Sequence, residues 1–207
     1  MKSALALASV TAVLKNLLEN GLVDHGVIAN LGADTIISAL PPDRIATGED
    51  ERAQLNLFLY QVSPRGLNST SRYGPEAPDT RRPPTPFAFD LLYLLTAYGA
   101  QDYHTEILLG YSLSLFRETP VVPDRTIRKI LAAISSAEGG KLVLPALAAL
   151  ATPELAGQFS QITICPQSLP GEEMSKLWGT LQTRYRPSMV YKVSVALCES
   201  GPDGQES

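Results

Sequence analysis

The stretch Ser168 to Glu199, SLPGEEMSKLWGTLQTRYRPSMVYKVSVALCE, decides the fold. Its first half has helical spacing: Met174, Leu177, Trp178 and Leu181 fall at i, i+3, i+4 and i+7, so four apolar groups share one face. Glu172 and Glu173 occupy the first turn, where negative charge complements the helix dipole. Pro187 has no amide donor and restricts the residue before it, so the helix must end earlier. From there the period drops to two. Met189, Tyr191, Val193, Val195 and Leu197 alternate with Val190, Lys192, Ser194, Ala196 and Cys198, giving one strongly apolar and one mixed face. The unit predicted is a short helix, a tight turn and a long, half-buried strand.

Working outward, two more strands are needed to pair with it. In Ala53 to Val62 the residues Leu55, Leu57 and Leu59 alternate with Asn56, Phe58 and Tyr60. Phe87 to Tyr98 is almost continuously apolar, which predicts burial on both faces and a central place in the sheet. Its lone charge, Asp90, reads as a hydrogen-bonded residue at the strand start. Shorter strands are predicted at Asp34 to Leu40, ended by Pro41 and Pro42, and at Phe159 to Cys165. In the latter, Phe159, Gln161, Thr163 and Cys165 share a face opposite Ser160, Ile162 and Ile164.

Helices are predicted over Ser3 to Asn20, with Leu7, Val10, Leu14 and Leu17 in register and Gly21 as the stop, and over Asp102 to Arg117. The second has Asp102 as its cap and Ile107, Leu108, Tyr111 and Leu115 on one face. A third runs from Thr126 to Ala137, ended by Gly139 and Gly140, and residues 141–157 read equally as helix or strand. The fold class expected is therefore α+β (α/β-like): one domain over residues 1–200, with helices flanking a mixed or mainly antiparallel sheet of about five strands. The polar residues 201–207 read as a disordered tail.

One connection is anomalous. Residues Ser63 to Pro86, SPRGLNSTSRYGPEAPDTRRPPTP, hold six prolines and four arginines, a composition that predicts no regular structure. Connections in compact domains are usually about 2 to 6 residues, so this one either binds something or is a solvated loop. Arg65, Arg72, Tyr73, Arg81 and Arg82 are its candidate contact residues, because a locally basic stretch on an acidic chain fits a carboxylate-bearing partner surface.

Composition narrows the function. The net charge of -4 and pI of about 5.2 argue against a nucleic-acid partner, which requires a basic face. No apolar run approaches the roughly 20 residues of a membrane span. The run Ala4 to Leu14 after Lys2 has the look of a signal peptide, but its helical spacing continues past Lys15 without a small-residue cleavage site, so a structural helix is predicted. Cys165 and Cys198 lack any ligand spacing and are expected to be buried reduced thiols, with a disulfide between neighbouring strands left open. Neither His25 nor His104 has triad or metal-ligand neighbours, and Gly139-Gly140-Lys141 lacks the rest of a phosphate loop. The acidic pairs Asp50-Glu51 and Glu172-Glu173 read as solubilising or capping charges. No catalytic residue, cofactor or metal site is predicted. Trp178, on an apolar helix face, reads as core, with an interface anchor as the alternative.

Four segments carry a resemblance: EEMSKLWGTLQTRYRPSMVYKVSVALCES (172–200), LNLFLYQVSP (55–64), PPTPFAFDLLYLLTAYG (83–99) and EILLGYSLSLFRETPVV (106–122). In order and spacing the chain resembles, over roughly residues 4–200, the tail-terminator or cap proteins of contractile injection systems. These phage-tail-like particles are of the antifeeding-prophage and virulence-cassette type. One departure is local: family members run from a serine straight into the Glu-Glu helix, whereas Pro170 and Gly171 intervene here, leaving open whether Ser168 is the N-cap. The resemblance implies a tail-terminator-like fold and a non-enzymatic assembly protein. It implies a homohexameric ring over the last layers of tail tube and sheath; that there is no nucleic-acid or membrane partner is expected from charge and hydropathy alone. The same resemblance places the protein in the cytoplasm during assembly and then in the particle. A baseplate or tube-initiation adaptor of the same particle, and a small enzyme with an unrecognised site, are the competing readings.

Overall fold

The structure, a computed structural model, describes residues 5–24, 26–27, 31, 34–65, 87–136 and 157–197. The helices and strands among the described residues are α1 (Ala6–Asp24), β1 (Ile36–Ser38), β2 (Gln54–Arg65), β3 (Phe87–Tyr98), α2 (His104–Glu118), β4 (Val121–Pro123), α3 (Asp124–Ser136), β5 (Phe159–Gln167), α4 (Gly171–Thr180) and β6 (Ser188–Leu197). Two 3-10 turns, Pro42–Arg44 and Gly48–Asp50, lie between β1 and β2. The strands form one sheet in the order β1-β2-β3-β6-β5-β4. Only β1 and β2 run parallel.

The expected centre is where the apolar pattern put it. β3 spans the predicted residues and lies between β2 and β6. Phe89, Leu91, Tyr93, Leu95 and Ala97 from one face of β3 join Tyr191, Val193, Val195 and Leu197 of β6 in the main core, under α1, α2 and α3. On the other face Leu94 and Val190 meet Trp178 of α4, with Tyr60, Met174, Leu177 and Leu181 packed around them. The sheet is thus a middle layer: three helices on one side, and one short helix over part of the other.

Several expectations fail for identifiable reasons. Gly21 does not stop α1, which continues to Asp24. Instead it is buried in the helix, because the missing Cβ leaves room for the Tyr111 hydroxyl, which donates to the Leu18 carbonyl at 3.1 Å. The buried stripe of α1 is also broader than predicted. Val10 and Leu14 are fully enclosed with Ala6, Val13, Leu18 and Leu22, while Leu7 and Leu17 are only partly covered. Asp102 does not cap α2. Tyr103 holds the N-cap position in the left-handed region at φ 69°, and Ile107, expected on the buried face, is exposed while His104, Ser112 and Phe116 are buried.

The prolines of 63–86 do not exclude structure throughout. Ser63, Pro64 and Arg65 continue β2, opposite Asp90, Phe89 and Ala88. β1 pairs only with Gln54 to Asn56, so Pro64 sits where β2 has no second neighbour among the described residues and its missing N–H breaks no ladder. A sixth strand, β4, was not expected, since three residues ending in Pro123 carry no period. The face assignment in β5 was half wrong: an irregularity between Phe159 and Gln161 puts Phe159 on the same side as Ile162 and Ile164. That leaves Cys165 on the exposed face opposite Lys192, so the expected buried thiol is a free, exposed one. Cys198, His25, Gly139, Gly140, residues 141–156 and the tail 201–207 lie outside the described residues.

Candidate assembly surface

The pairing registers divide the sheet into two ends. At one end Arg65 faces Ala88, and Phe87 faces Leu197, which in turn faces Phe159. The predicted contact stretch therefore leaves the sheet at Arg65 and re-enters it at Phe87, at the same end. Arg65 itself is anchored: its Nη2 lies 3.0 Å from Asp90 Oδ1 and donates to Ser194 Oγ at 2.8 Å, and Ser194 Oγ donates to Asp90 Oδ1 at 2.7 Å. Three adjacent strands are tied by one polar triad. Asp90 is the hydrogen-bonded strand-start residue expected of it. Because Arg65 is more than half exposed, its pairing contributes about 0–1 kcal/mol and mainly sets direction. Arg72, Tyr73, Arg81 and Arg82 lie outside the described residues.

The opposite end holds a second polar site that sequence reading missed. Glu51, taken for a solubilising charge, is nearly buried and receives both arms of Arg186, at 3.0 and 2.8 Å, as well as the Gly99 amide at 2.9 Å. Arg186 also lies over the Tyr98 ring at 5.4 Å, a cation–π contact. Burial pushes the Glu51 carboxyl up, but the Arg186 bond, the Gly99 amide, the Arg186 charge and the Gly48 amide together hold it below its ordinary value. The partners are 135 residues apart, so no local pattern pairs them.

The same end carries a groove of about 510 Å³ lined by Ser175, Trp178, Gly179, Gln182, Thr183, Arg184 and Tyr185. Pro170, not Ser168, holds the N-cap position of α4, with no side-chain cap bond, and Leu181 the C-cap position; Gln182 follows in the left-handed region at φ 52°. That turn carries Tyr185 back onto Trp178 in an edge-to-face contact of 5.7 Å. Trp178 is core, as expected, at 3% exposure, yet its Nε1–H has no acceptor among the described residues.

Nothing described assembles a reaction centre. No three potential metal ligands come together among the described residues, and no helix there is long and apolar enough to cross a membrane. His104 is buried at the start of α2, packed so closely on Gly99 that a Cβ there would collide with it, and its Nδ1 has no partner among the described residues. Burial pushes the Tyr191 hydroxyl up to about 12, and Tyr93 and Tyr111 are raised further by the same cause. These phenols stay protonated at neutral pH, so none serves as a base.

The structure is similar to the sheath/tube terminator of an extracellular contractile injection system (PVC) in its extended state, with 20% identity and a TM-score of 0.45 over 89% of this chain and 57% of that one. It is also similar to the anti-feeding prophage tube-terminating cap, with 15% identity and a TM-score of 0.47 over 91% of this chain and 56% of that one. The chain thus spans less than two thirds of the length of either solved chain. No curated protein matches it. A family model does, over residues 9–207, so the chain belongs to the Pvc16 N-terminal domain family.

Proposed function

We propose that this chain is a non-enzymatic assembly subunit that caps the tube and sheath of a contractile injection system, as a homohexameric ring. The observation that carries the reading is the family match over residues 9–207, which covers nearly all of the chain and all four segments of the resemblance. The solved chains to which it is similar are a sheath/tube terminator and a tube-terminating cap. The architecture is compatible with this role. A ring closed by rotation needs two different flanks on each subunit, and an open sheet has two different edges. Among the described residues both edges are three-residue strands, β4 including Pro123, so neither offers a long ladder there for a neighbour to extend. Side-chain patches therefore carry the ring contacts.

In this reading residues 66–86 form an assembly arm that engages the tail, with Arg72, Tyr73, Arg81 and Arg82 as its contact residues and Arg65 as its anchor. Prolines lower the entropy lost on ordering, and arginine forks pair bidentately with carboxylates. The Arg81→Ser/Arg82→Ser double variant should keep the melting temperature of the wild type. Added to particles assembled without the chain, wild type should seat on one tail end and bind less well as salt rises. The variant should bind more weakly at low salt and lose that salt dependence. A variant that seats like wild type at every salt concentration would reduce the arm to a solvated loop.

A further inference from the structure

We infer that the groove beside β4 receives the β1 edge of a neighbouring copy of this chain, so that Ile36 and Asp34 of one subunit meet Leu113 and Arg117 of the next. The inference rests on the ring proposed above and names its contacts. Sheet order puts the two patches on opposite flanks: β1 is the first and β4 the last of six strands, which at about 4.8 Å per strand lie roughly 24 Å apart.

On the β4 flank a groove of about 490 Å³ is lined in part by Leu113, Phe116, Arg117, Pro120, Ile164 and Pro166. Leu113 and Arg117 are one turn apart on α2, and the Pro120 carbonyl beyond the helix accepts the Ile164 amide at 2.8 Å, which fixes the groove against β5. Leu113 and Val121 are each 43% exposed. Arg117, and Arg125 and Lys129 of α3, are exposed and in no ion pair among the described residues, whereas Asp124 is taken up by Arg128, so Glu118 alone opposes them there.

The β1 flank is its counterpart. Ile36 and Leu40 are 39% and 44% exposed. Asp34 lines one hollow with Ile36, Glu49 and Asp50 line another with it, and Asp43 lies on the 3-10 turn that follows β1. These four acids are exposed and in no ion pair among the described residues, and they outnumber Arg44 and Arg52, the exposed bases beside them. Each flank thus sets an exposed aliphatic side chain beside unpaired charge, and the signs are opposite. A tube or sheath subunit has to match one flank only. Two flanks of one chain that match each other fit a second copy, and because they are unlike, each copy keeps one of each free for the next and the contact propagates around a ring.

The test uses the full chain and its mass in solution, against 22.3 kDa for one subunit. Arg117→Glu and Asp34→Lys should each weaken self-association by roughly tenfold or more, since each sets like charges against each other. An equimolar mixture of the two variants should recover association, because alternating copies then place Asp34 against Arg117 at one contact and the two introduced charges against each other at the next. All preparations should melt alike, since both side chains are exposed. A wild-type chain that stays monomeric, a single variant that associates like wild type, or a mixture as weak as its components would each overturn the inference. Capping is read separately on tail ends. Rescue in a mixture that seats on no tail would sink the capping reading alone, and seating by rings indifferent to these charges would sink this inference alone.

Discussion

Trp178→Ala should destabilise the fold by roughly 3–5 kcal/mol, the range for removing a large aromatic side chain from a packed site. The indole is the largest piece of the smaller core, and around it Leu94 and Val190 of the central strands are fully enclosed only because α4 holds it there. Without it, Tyr60, Met174, Leu177 and Leu181 surround a void, and Tyr185 loses its ring partner. Domains of this size hold only about 5–15 kcal/mol in all, so this single change removes a large share. Chemical denaturation followed by circular dichroism reads the effect directly, since the variant has no tryptophan left to report fluorescence. An unchanged midpoint would mean that α4 contributes nothing to stability and that the indole is kept for assembly alone.

Arg186→Ala should cost roughly 3 kcal/mol at neutral pH, at the lower end for breaking a buried pair, because the guanidinium keeps some exposure. The Glu51 side chain is 7% exposed and that of Arg186 27%, so removing the arginine strands a carboxylate that has little access to water. The pH dependence follows from the sign of the Glu51 shift. A carboxyl held below its unfolded value of 4.5 contributes stability that is fully present above that value and lost as pH falls through the lower, folded one. In the variant the Gly99 and Gly48 amides still act on Glu51, but Arg186 no longer offsets its burial, so it takes up a proton more readily in acid and the penalty shrinks. The gap between wild type and variant should therefore be widest near pH 7 and shrink below about pH 4.5. A gap that is constant across this range would mean that the loss comes from the Tyr98 stacking and the aliphatic stem instead of the ion pair.

What the sequence made legible follows the range of its signals. The period-2 pattern of β6 and the uninterrupted apolar run of β3 identified the centre of the sheet, because those patterns reflect burial on one face or on both. The face of α4 was legible for the same reason. Period reading failed where geometry breaks the period. One extra residue at Ser160 moved Phe159 to the core side and left Cys165 in water, and nothing in FSQITIC announces a bulge. Gly21 was misread because a glycine that ends a helix and one that admits a tyrosine look the same in sequence. β4 was too short to show any period.

The polar sites were hidden by distance along the chain. Glu51 and Arg186 meet only through tertiary structure, as do Arg65 and Ser194, so each read as an isolated surface charge or strand residue. The buried ladder on β1 is a local version of the same problem. Asn56 accepts from Ser38 Oγ and the Leu40 amide and donates to the Leu40 carbonyl, which ties the short edge strand to β2 and makes a polar residue in a strand structural. Function was legible only through the four-segment resemblance, since composition and spacing offered no chemistry.

We propose that the chain sits on the end of a tail, and locating it there is the direct test. Particles carrying a gold-labelled copy of the chain should show label at one end only, the end away from the baseplate, with the ring closing tube and sheath together. Label at the baseplate end, along the sheath, or on no part of the particle would contradict the account.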